Sequence, residues 1–287
     1  METWKKYYTK EQLDLLQKIE LENLRVFIEV CNKLNLEYFV YGGTLLGVEK
    51  YQGMIPWDDD IDVAMPRESY KKFLKYATDV LPDEYFIQSP DNCPKSPYPY
   101  IKLRRKGTKF IEYVNRNLDV ETGIYIDIYP VDRIPDDEEL RKQQFKNARK
   151  WIMIYVIRQS RLYDKKEAGI KGFVRTLGKR FVTYFLKIFP AQYCLKKIDY
   201  YMTLYNDTET QRYAALNSPN YDNIYLHLFP LQKGVFNGIE VNIPGDHKTH
   251  LKMRYGDYSG LPPEEKRCGH VPYILDLGEN RTEGEHK

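Results

Sequence analysis

Residues 41 to 63 read YGGTLLGVEKYQGMIPWDDDIDV. A glycine pair opens this stretch, a proline-tryptophan corner divides it, and a run of carboxylates closes it. From Asp60 to Val63 polar and apolar residues alternate, which predicts a strand whose successive side chains point to opposite faces. Asp60 and Asp62 then share one face, while Ile61 and Val63 can enter a core.

The aspartates of this strand have the chemistry of a divalent metal site. Two carboxylates side by side repel each other unless a cation lies between them. Hard oxygen ligands suit Mg2+ or Mn2+, so Asp60 and Asp62 are predicted as metal ligands. Asp58 joins them if the strand begins early, whereas Asp59 should point the opposite way and serve a turn or a salt bridge.

The glycine pair suggests an anion site. Residues 37 to 41 predict a short strand that ends at Gly42, Gly43 and Thr44. Where side chains are missing, backbone N–H groups can approach an anion closely, and the threonine adds a hydroxyl. We therefore expect these three residues to bind phosphate. A plain turn followed by a solvated acidic loop is the alternative interpretation.

Together these pieces resemble a known superfold. A strand, a Gly-Gly-Thr turn, a short helix and an Asp-x-Asp strand resemble the signature of nucleotidyltransferases of the DNA polymerase beta-like group. The string from YGGTLLG through IPWDDDID is similar to the LicD family of phosphocholine transferases, which includes fukutin-like enzymes. Phe229-Pro230, GVFNGIEVNIP and the ending YGDYSGLPPEEKR also resemble LicD proteins, so the similarity runs from Tyr38 to His270.

Two later strands supply further candidate residues. GIYIDIY, residues 123 to 129, places Asp127 inside an apolar strand, where a carboxylate is costly to bury without a partner. In the superfold that the sequence resembles, a third carboxylate joins the first two, and Asp127 matches it. Lys102 and Arg104 share one face of IKLRR and could neutralise phosphates. The alternatives are a salt bridge from Asp127 to one of these cations and a solvated strand edge.

Composition and length describe an ordinary globular chain. Of its 287 residues, 42% are hydrophobic and 30% are charged, which is ample for a buried core. No stretch approaches the ~20 apolar residues needed to cross a bilayer, and METWKKYYTK has no apolar run behind its lysines. Four cysteines without paired spacing favour a reducing compartment, so a cytoplasmic location is expected.

Positive charge is concentrated in one segment. Between Arg141 and Tyr200 there are 16 Lys or Arg against 3 Asp or Glu, although the net charge of the whole chain is only +3. An apolar stripe at helical spacing accompanies the charge, which is typical of a helix that lies on an anionic membrane. A helical subdomain with solvent-facing charges is the alternative. Nucleic acid is not expected, because no base-reading module is present. The stripe comprises Val174, Leu177, Phe181, Phe185 and Ile188.

Local signals predict several element boundaries. Thr9 can cap a helix whose apolar residues recur through residue 34. A second helix is expected from residue 67 to residue 80, where Pro82 stops it. Asp132 and the Asp136-Asp137 pair are expected to cap the helix that follows them.

The order of elements indicates an α/β (α+β) protein. With the resemblance, we expect a nucleotidyltransferase-type mixed sheet flanked by helices, with a basic helical subdomain. Residues 1–135 would form the catalytic core and residues 136–210 a basic helical insertion. Residues 211–287 would supply a hairpin and helix that complete the substrate site, since Asn237-Gly238 between apolar runs predicts a hairpin.

The LicD resemblance implies transfer of phosphocholine from CDP-choline to a hydroxyl of a cell-surface glycan precursor, such as teichoic acid or lipooligosaccharide. Asp60, Asp62 and Asp127 would hold Mg2+ or Mn2+, and Asp127 could accept the proton of the acceptor hydroxyl. Lys102 and Arg104 would stabilise the departing CMP. The acceptor could be lipid-linked, which would place the enzyme at the inner face of an anionic membrane.

The transferred group is open at this stage. Choline cannot donate a hydrogen bond, so an aromatic cage is expected, for which Tyr98, Tyr100, Tyr125 and Tyr129 are candidates. Phosphoethanolamine, glycerol phosphate, ribitol phosphate or a sugar phosphate are alternatives. Two other functions also remain: transfer of NMP from an NTP to a small acceptor, and a non-catalytic peripheral membrane protein.

Overall fold

A computed structural model of the chain describes residues 3–159, 177–178, 181–216, 224–270 and 272–278. Its helices are α1 (Lys10–Lys33), α2 (Gly42–Tyr51), α3 (Arg67–Tyr76), α4 (Glu138–Gln159), α5 (Ala191–Thr203) and α6 (His247–Tyr255). Its strands are β1 (Phe39–Val40), β2 (Asp62–Pro66), β3 (Tyr85–Gln88), β4 (Ile101–Arg105), β5 (Lys109–Glu112), β6 (Tyr125–Arg133), β7 (Tyr213–Ala214), β8 (Ile224–Tyr225), β9 (Gln232–Phe236), β10 (Ile239–Ile243) and β11 (Pro272–Asp276). Residues 181–186 are also helical.

The main sheet is mixed, which confirms the predicted class. Its central order is β1-β2-β6-β4-β3, and β7 and β8 extend it from the end of β6. β2 and β6 run parallel, and the other pairs in this order are antiparallel. A parallel pair needs a crossover connection, so residues far apart in sequence become neighbours at the centre of the sheet. The two-stranded pairs β9-β10 and β5-β11 lie outside it.

Helix α1 forms as predicted and covers one face of the sheet. The Thr9 hydroxyl accepts a hydrogen bond from the Gln12 backbone, and the Gln12 side chain accepts one from the Thr9 backbone. These two bonds satisfy donors that the helix itself leaves open. Leu24 and Phe27 are fully buried against Ile126 and its neighbours in the sheet. Burial of each such side chain contributes about 1.5–3 kcal/mol.

Two boundaries differ from the predicted ones. β2 begins at Asp62, because a turn in which the Asp58 N–H bonds the Ile55 carbonyl delays the strand. The Ile61 carbonyl nevertheless accepts the Asp127 N–H at 3.0 Å, so the backbone already follows β6 one residue earlier. α3 ends at Tyr76, and a 3-10 turn continues it before the proline.

Helices α4 and α5 pack on each other around a second apolar cluster. Ala148 and Ile152 of α4 meet Ile198 and Met202 of α5 in this cluster, which is separate from the cluster beneath α1.

The division of the chain into 1–135, 136–210 and 211–287 stays a prediction. Within the predicted stripe, Val174 falls outside the described residues. Among the helices of the described part, none is long and apolar enough to cross a membrane.

A buried ion pair joins β6 to the start of α3. Arg67 Nε donates to Asp132 Oδ1 at 2.8 Å, a second guanidinium nitrogen bonds the other oxygen, and Asn206 donates to the same carboxylate at 2.7 Å. The prediction that Asp132 caps a helix is therefore wrong, because this residue lies within β6. Asp137 does cap α4, since its carboxylate accepts the Leu140 N–H at 2.8 Å.

The Asn237-Gly238 hairpin is confirmed. β9 and β10 pair antiparallel, and both turn residues have a positive φ, 49° for Asn237 and 75° for Gly238. Such turns match the twist of the flanking strands. Phe236 and Val241 of the hairpin are buried in the same cluster as α1 and the sheet, which brings the C-terminal third of the chain onto the central domain.

We expect Asp132→Ala to lower the free energy of unfolding by about 3–5 kcal/mol, because it leaves the buried Arg67 charge with only the longer, 3.4 Å contact to the exposed carboxylate of Asp199. Asp136→Ala is the matched control. Its partner Arg212 lies at the surface at 2.9 Å, so the loss should stay below about 1 kcal/mol. Urea unfolding of both variants measures the difference, and equal losses would contradict the assignment.

Candidate active site

Pairing of β1 with β2 positions the glycine pair beside the aspartates. Val40 lies opposite Val63, and the Tyr41 N–H donates to the Asp62 carbonyl at 3.0 Å. The chain then turns into α2 at Gly42, whose φ of +58° is one that glycine adopts readily. The N-terminus of α2 is thereby held against the first residue of β2.

The glycines leave room for carboxylates. A Cβ atom on Gly42 would lie 2.7 Å from Asp62 Oδ2, and one on Gly43 would lie 2.9 Å from Asp58 Oδ2. The Thr44 hydroxyl accepts the Asp62 N–H at 2.8 Å. Because the first N–H groups of a helix have no partner within it and carry partial positive charge, this end of α2 favours nearby anions. The predicted phosphate cradle thus lies directly against the predicted metal ligands.

The third aspartate lies beside the first strand. Asp62 and Asp127 are register partners in the parallel β2-β6 pair, and Lys102 is the partner of Asp127 in the antiparallel β6-β4 pair. Side chains at paired positions lie on the same face of a sheet. Asp62, Asp127 and Lys102 therefore form one row across three neighbouring strands, which the sequence separation conceals.

Asp127 is held by three donors. Lys102 Nζ lies 2.5 Å from Asp127 Oδ1, while the hydroxyls of Tyr129 and Tyr100 donate to Oδ2 at 3.0 and 3.3 Å. The predicted alternative, a salt bridge between Asp127 and Lys102, is present, and it coexists with the position beside Asp62. Lys102 is 1% exposed, so it is not part of a solvated edge. Burial lowers the pKa of Lys102, and Asp127 opposes that shift.

Arg104 is also buried, but it does not contact the carboxylates. Its Nε donates to Gln88 Oε1 at 2.8 Å and its Nη1 to the Gly123 carbonyl at 2.6 Å. The guanidinium lies 4.8 Å from the ring centre of Tyr125. These contacts link neighbouring parts of the sheet next to the site. They engage two of the guanidinium donors that were predicted to bind phosphate.

The tyrosines proposed for a choline cage surround a lysine. Lys102 Nζ lies 3.4 Å from the ring centre of Tyr125, 4.1 Å from that of Tyr98 and 5.6 Å from that of Tyr100. The ammonium group occupies the faces that attract cations. Tyr129 packs between the rings of Tyr100 and Tyr41 instead, at 4.6 and 5.3 Å.

Sequence reasoning missed His270, which arrives from the C-terminal part of the chain. Its N–H donates to Asp59 Oδ1 at 2.8 Å, and its Nδ1 lies 3.3 Å from that oxygen and 3.7 Å from Asp60 Oδ2. Burial disfavours its protonation, but Asp60, Asp59 and Glu112 prevail and raise its pKa to about 11. Asp59 also bonds the Tyr8 hydroxyl. Its carboxylate is thus engaged by Tyr8 and His270, which agrees with the salt-bridge role predicted for it.

Glu20 of α1 was missed as well. It is 2% exposed, and its Oε2 has no hydrogen-bond partner within the described part of the chain. Burial, followed by the charges of Asp60, Asp59 and Asp58, raises its pKa. A signal did exist in the sequence: Glu20 takes the place of an apolar residue between Leu16 and Leu24 on the buried face of the helix.

The half-buried aspartates hold more negative charge than the protein compensates. Burial and the neighbouring aspartates raise the pKa of Asp58 and of Asp62 well above the ordinary value. The pKa of Asp60 rises to about 6, through burial and the charges of Asp59 and Asp127, against the opposing charges of His270 and Lys102. Each proton retained is a measure of repulsion that a cation would relieve.

These residues fit a divalent cation. Asp62 Oδ1 is buried and has no hydrogen-bond partner among the residues described, so it is a ligand atom without a use inside the protein. Asp59, Asp60 and His270 place one ligand atom each within 4.8 Å of one another. Asp59 and His270 already bond each other, however, and a protonated imidazole cannot ligate. Asp58, Asp60 and Asp62 are therefore the better oxygen donors for Mg2+ or Mn2+.

The fold and the site define a class of protein. A mixed sheet that presents carboxylates beside a glycine-led helix N-terminus has the arrangement of a nucleotidyltransferase-type domain. Residues 35–157 match the family described as LicD/FKTN/FKRP, nucleotidyltransferase domain. This part of the chain thus matches the family that the resemblance predicted.

Relatives extend this match beyond the domain. Over 283 residues the chain is 24% identical to the lipopolysaccharide cholinephosphotransferase LicD of Haemophilus influenzae, which covers 94% of this chain and 100% of that protein. Over 40 residues it is 45% identical to uncharacterised proteins of Rickettsia prowazekii and Rickettsia typhi, which covers 14% of this chain and 15% and 13% of theirs.

Asp60→Asn should stabilise the metal-free protein near neutral pH. Because the pKa of Asp60 is higher in the folded state, the folded protein binds a proton at this carboxylate more tightly than the unfolded chain does. The stability that comes from this protonated carboxyl is complete below about pH 4 and is lost as pH rises through 6. The variant should therefore exceed the wild type by about 2 kcal/mol near pH 7.5 and by much less near pH 4.5. Urea unfolding without metal measures both differences.

The same measurements with Mg2+ or Mn2+ supply the control. The ion should stabilise the wild type near neutral pH and have less effect on Asp60→Asn, because the variant has lost a ligand charge. An Asp60→Asn gain that is the same at both pH values, together with no effect of either metal, would contradict the repulsion and the metal site.

Gly43→Ala should weaken metal binding without lowering the free energy of unfolding of the metal-free protein. Alanine favours a helix over glycine by about 1 kcal/mol, so the free energy of unfolding should hold or rise slightly. The added Cβ displaces the Asp58 carboxylate, so metal stabilisation should fall. Gly260→Ala, where a Cβ would meet nothing within 4 Å, is the matched control. Equal metal stabilisation in both variants would show that Asp58 has no part in the site.

Proposed function

We propose that this chain is a Mg2+- or Mn2+-dependent transferase. It would move phosphocholine, or a related phospho-substituent, from a CDP-linked donor to a hydroxyl of a cell-surface glycan such as a lipopolysaccharide or teichoic acid precursor. The row of Asp62 and Asp127 beside the N-terminus of α2 is the observation on which this proposal rests. Similarity to a lipopolysaccharide cholinephosphotransferase over nearly the whole chain supports the choice of substrate.

Asp58, Asp60 and Asp62, with Asp127 alongside, would hold the metal. When bound, such an ion neutralises diphosphate charge and orients the phosphate for in-line attack. The N–H groups at Gly42 and Gly43 would donate to phosphate oxygens. The oxygen of the Thr44 hydroxyl accepts the Asp62 N–H. The proton of the same hydroxyl could therefore be donated to a phosphate oxygen.

Lys102, Arg104 and His270 would contribute positive charge to the site in different ways. Lys102 positions Asp127 through a short ion pair, and Arg104, two residues further along the same strand, adds positive charge over the same ring of Tyr125. Both would offset the charge of the departing CMP through the field of the site, because both side chains are buried. His270 stands closer to solvent, with 36% of its side chain exposed, and its charge faces Asp60.

A carboxylate would take the proton of the acceptor hydroxyl. Asp127 is one candidate, as the family resemblance implies, although three donors already engage its two oxygens. Asp60 is the other in any complex where it does not ligate the metal, because a bound cation would lower the raised pKa of a ligating carboxylate.

A second function follows from the domain description. Nucleotidyltransferases use the same glycine turn and paired aspartates to move NMP from an NTP, and the matching family is described as a nucleotidyltransferase domain. The two activities differ in their products. CMP released from CDP-choline supports the first function, while pyrophosphate released from an NTP supports the second.

Asp62→Asn should reduce Mg2+-dependent CMP release from CDP-choline by more than about 100-fold, the upper end of what the loss of an outer-shell partner costs. The assay follows CMP by chromatography, with a panel of CDP-linked donors and Mg2+ or Mn2+. Asp79→Asn, at an exposed position, is the control and should retain full activity. A folded Asp62→Asn variant with undiminished release would overturn the assignment of this aspartate.

A further inference from the structure

One segment exposes several large apolar side chains close together in the sequence. Phe181 is 69% exposed, Tyr184 78%, Phe185 55% and Ile188 61%, and Leu177 shortly before them is 57% exposed. Single exposed apolar residues are ordinary on a protein surface, but a contiguous group marks an interaction site.

Phe181, Tyr184 and Phe185 lie on one face of a short helix, Ile188 continues that face in the turn that follows, and Val182, 49% exposed, lies beside it. Phe181, Tyr184, Phe185 and Ile188 follow the i, i+3, i+4, i+7 spacing, and residues 181–186 are helical. Thr183, on the opposite side, is 6% exposed. The stripe therefore points away from the protein, whereas an ordinary surface helix turns its apolar side inward.

The region of the chain that carries this stripe is rich in positive charge. Between residues 141 and 200, the described part of the chain contains nine Lys or Arg and a single acidic residue, Asp199. A second copy of this chain would meet that surface with like charge, which disfavours self-association through it. An anionic bilayer offers opposite charge at its surface and an apolar layer beneath. Exposed lysines in this region include Lys146, Lys150, Lys187 and Lys196.

The segment is tied to a loop beside the candidate active site. Arg158 Nε of α4 donates to the Phe189 carbonyl at 2.9 Å. The adjacent Gln159 donates to the Ser96 carbonyl at 3.2 Å, and the Tyr155 hydroxyl donates there at 2.8 Å. Two residues after Ser96, Tyr98 packs against Lys102. A few bonded residues thus connect the stripe with the carboxylate row.

We propose that Leu177 and the segment Phe181–Ile188 dock on an anionic lipid bilayer. The apolar stripe enters the boundary between headgroups and acyl chains, and the neighbouring lysines contact anionic headgroups. The use of this contact rests on the proposed function, because a lipid-anchored acceptor would be presented at the bilayer surface beside the site. Binding itself requires neither donor nor acceptor.

Flotation with phosphatidylcholine vesicles, with and without phosphatidylglycerol, tests the docking. The wild type should float with the anionic vesicles at low salt and less at high salt, since salt screens exposed charges. The double variant Phe181→Ser/Phe185→Ser should bind at least about tenfold more weakly, given the apolar area removed. Leu261→Ser is the matched control at 58% exposure and should bind as the wild type does.

Two results would overturn the proposal. One is wild-type protein that does not float with anionic vesicles. The other is a dimer in sedimentation that the double variant dissociates while vesicle binding is unchanged, which would assign the stripe to a second copy. Asp60→Asn separates this test from the catalytic proposal: it should float fully even though it is expected to be inactive.

Discussion

Asp58, Asp60 and Asp62 lie half-buried within reach of one another, and Asp60 and Asp62 also interact with Asp127. Their mutual repulsion has to be balanced by the surrounding structure. Burial and the neighbouring charges raise the pKa of all three strand-proximal aspartates, which measures how incomplete that balance is. A cluster of this kind survives in a folded protein only where other charges or a bound cation offset it.

The fold supplies that balance from four directions. The N-terminus of α2 contributes partial positive charge, and its glycines let the carboxylates approach. Lys102 neutralises Asp127 across the β4-β6 pair, and tyrosine rings stabilise its ammonium group in an otherwise dry place. His270 supplies charge from the C-terminal segment. Arg254 of α6 also lowers the pKa of Asp62, after burial and the aspartates have raised it. A bound divalent ion would neutralise the negative charge that these groups leave uncompensated.

Recognition of the substrates depends on surfaces outside this cluster. Gly-Gly-Thr and Asp-x-Asp are suited to phosphate and metal binding, and transferases with different donors use such residues. Of the four tyrosines that looked suited to choline, Tyr98, Tyr100 and Tyr125 have their rings around Lys102, so a choline cage would need other side chains. The outward-facing stripe near residue 185 belongs to the helical region that packs against the loop at Ser96, which relates the two surfaces structurally.

Local sequence determined what local physics controls. The capping box of α1, the Asn237-Gly238 turn and the alternation ending at Val63 depend on residues within a few positions of each other, and each was predicted from them. The resemblance added Asp127 as a partner of Asp62. Tertiary structure alone decided the rest, because those contacts join side chains far apart in the chain. His270 meets Asp59 across 211 positions, and Asp132 binds Arg67 across 65. Charges of that kind find partners only when the sheet register and the chain crossings are set, and no short pattern encodes them.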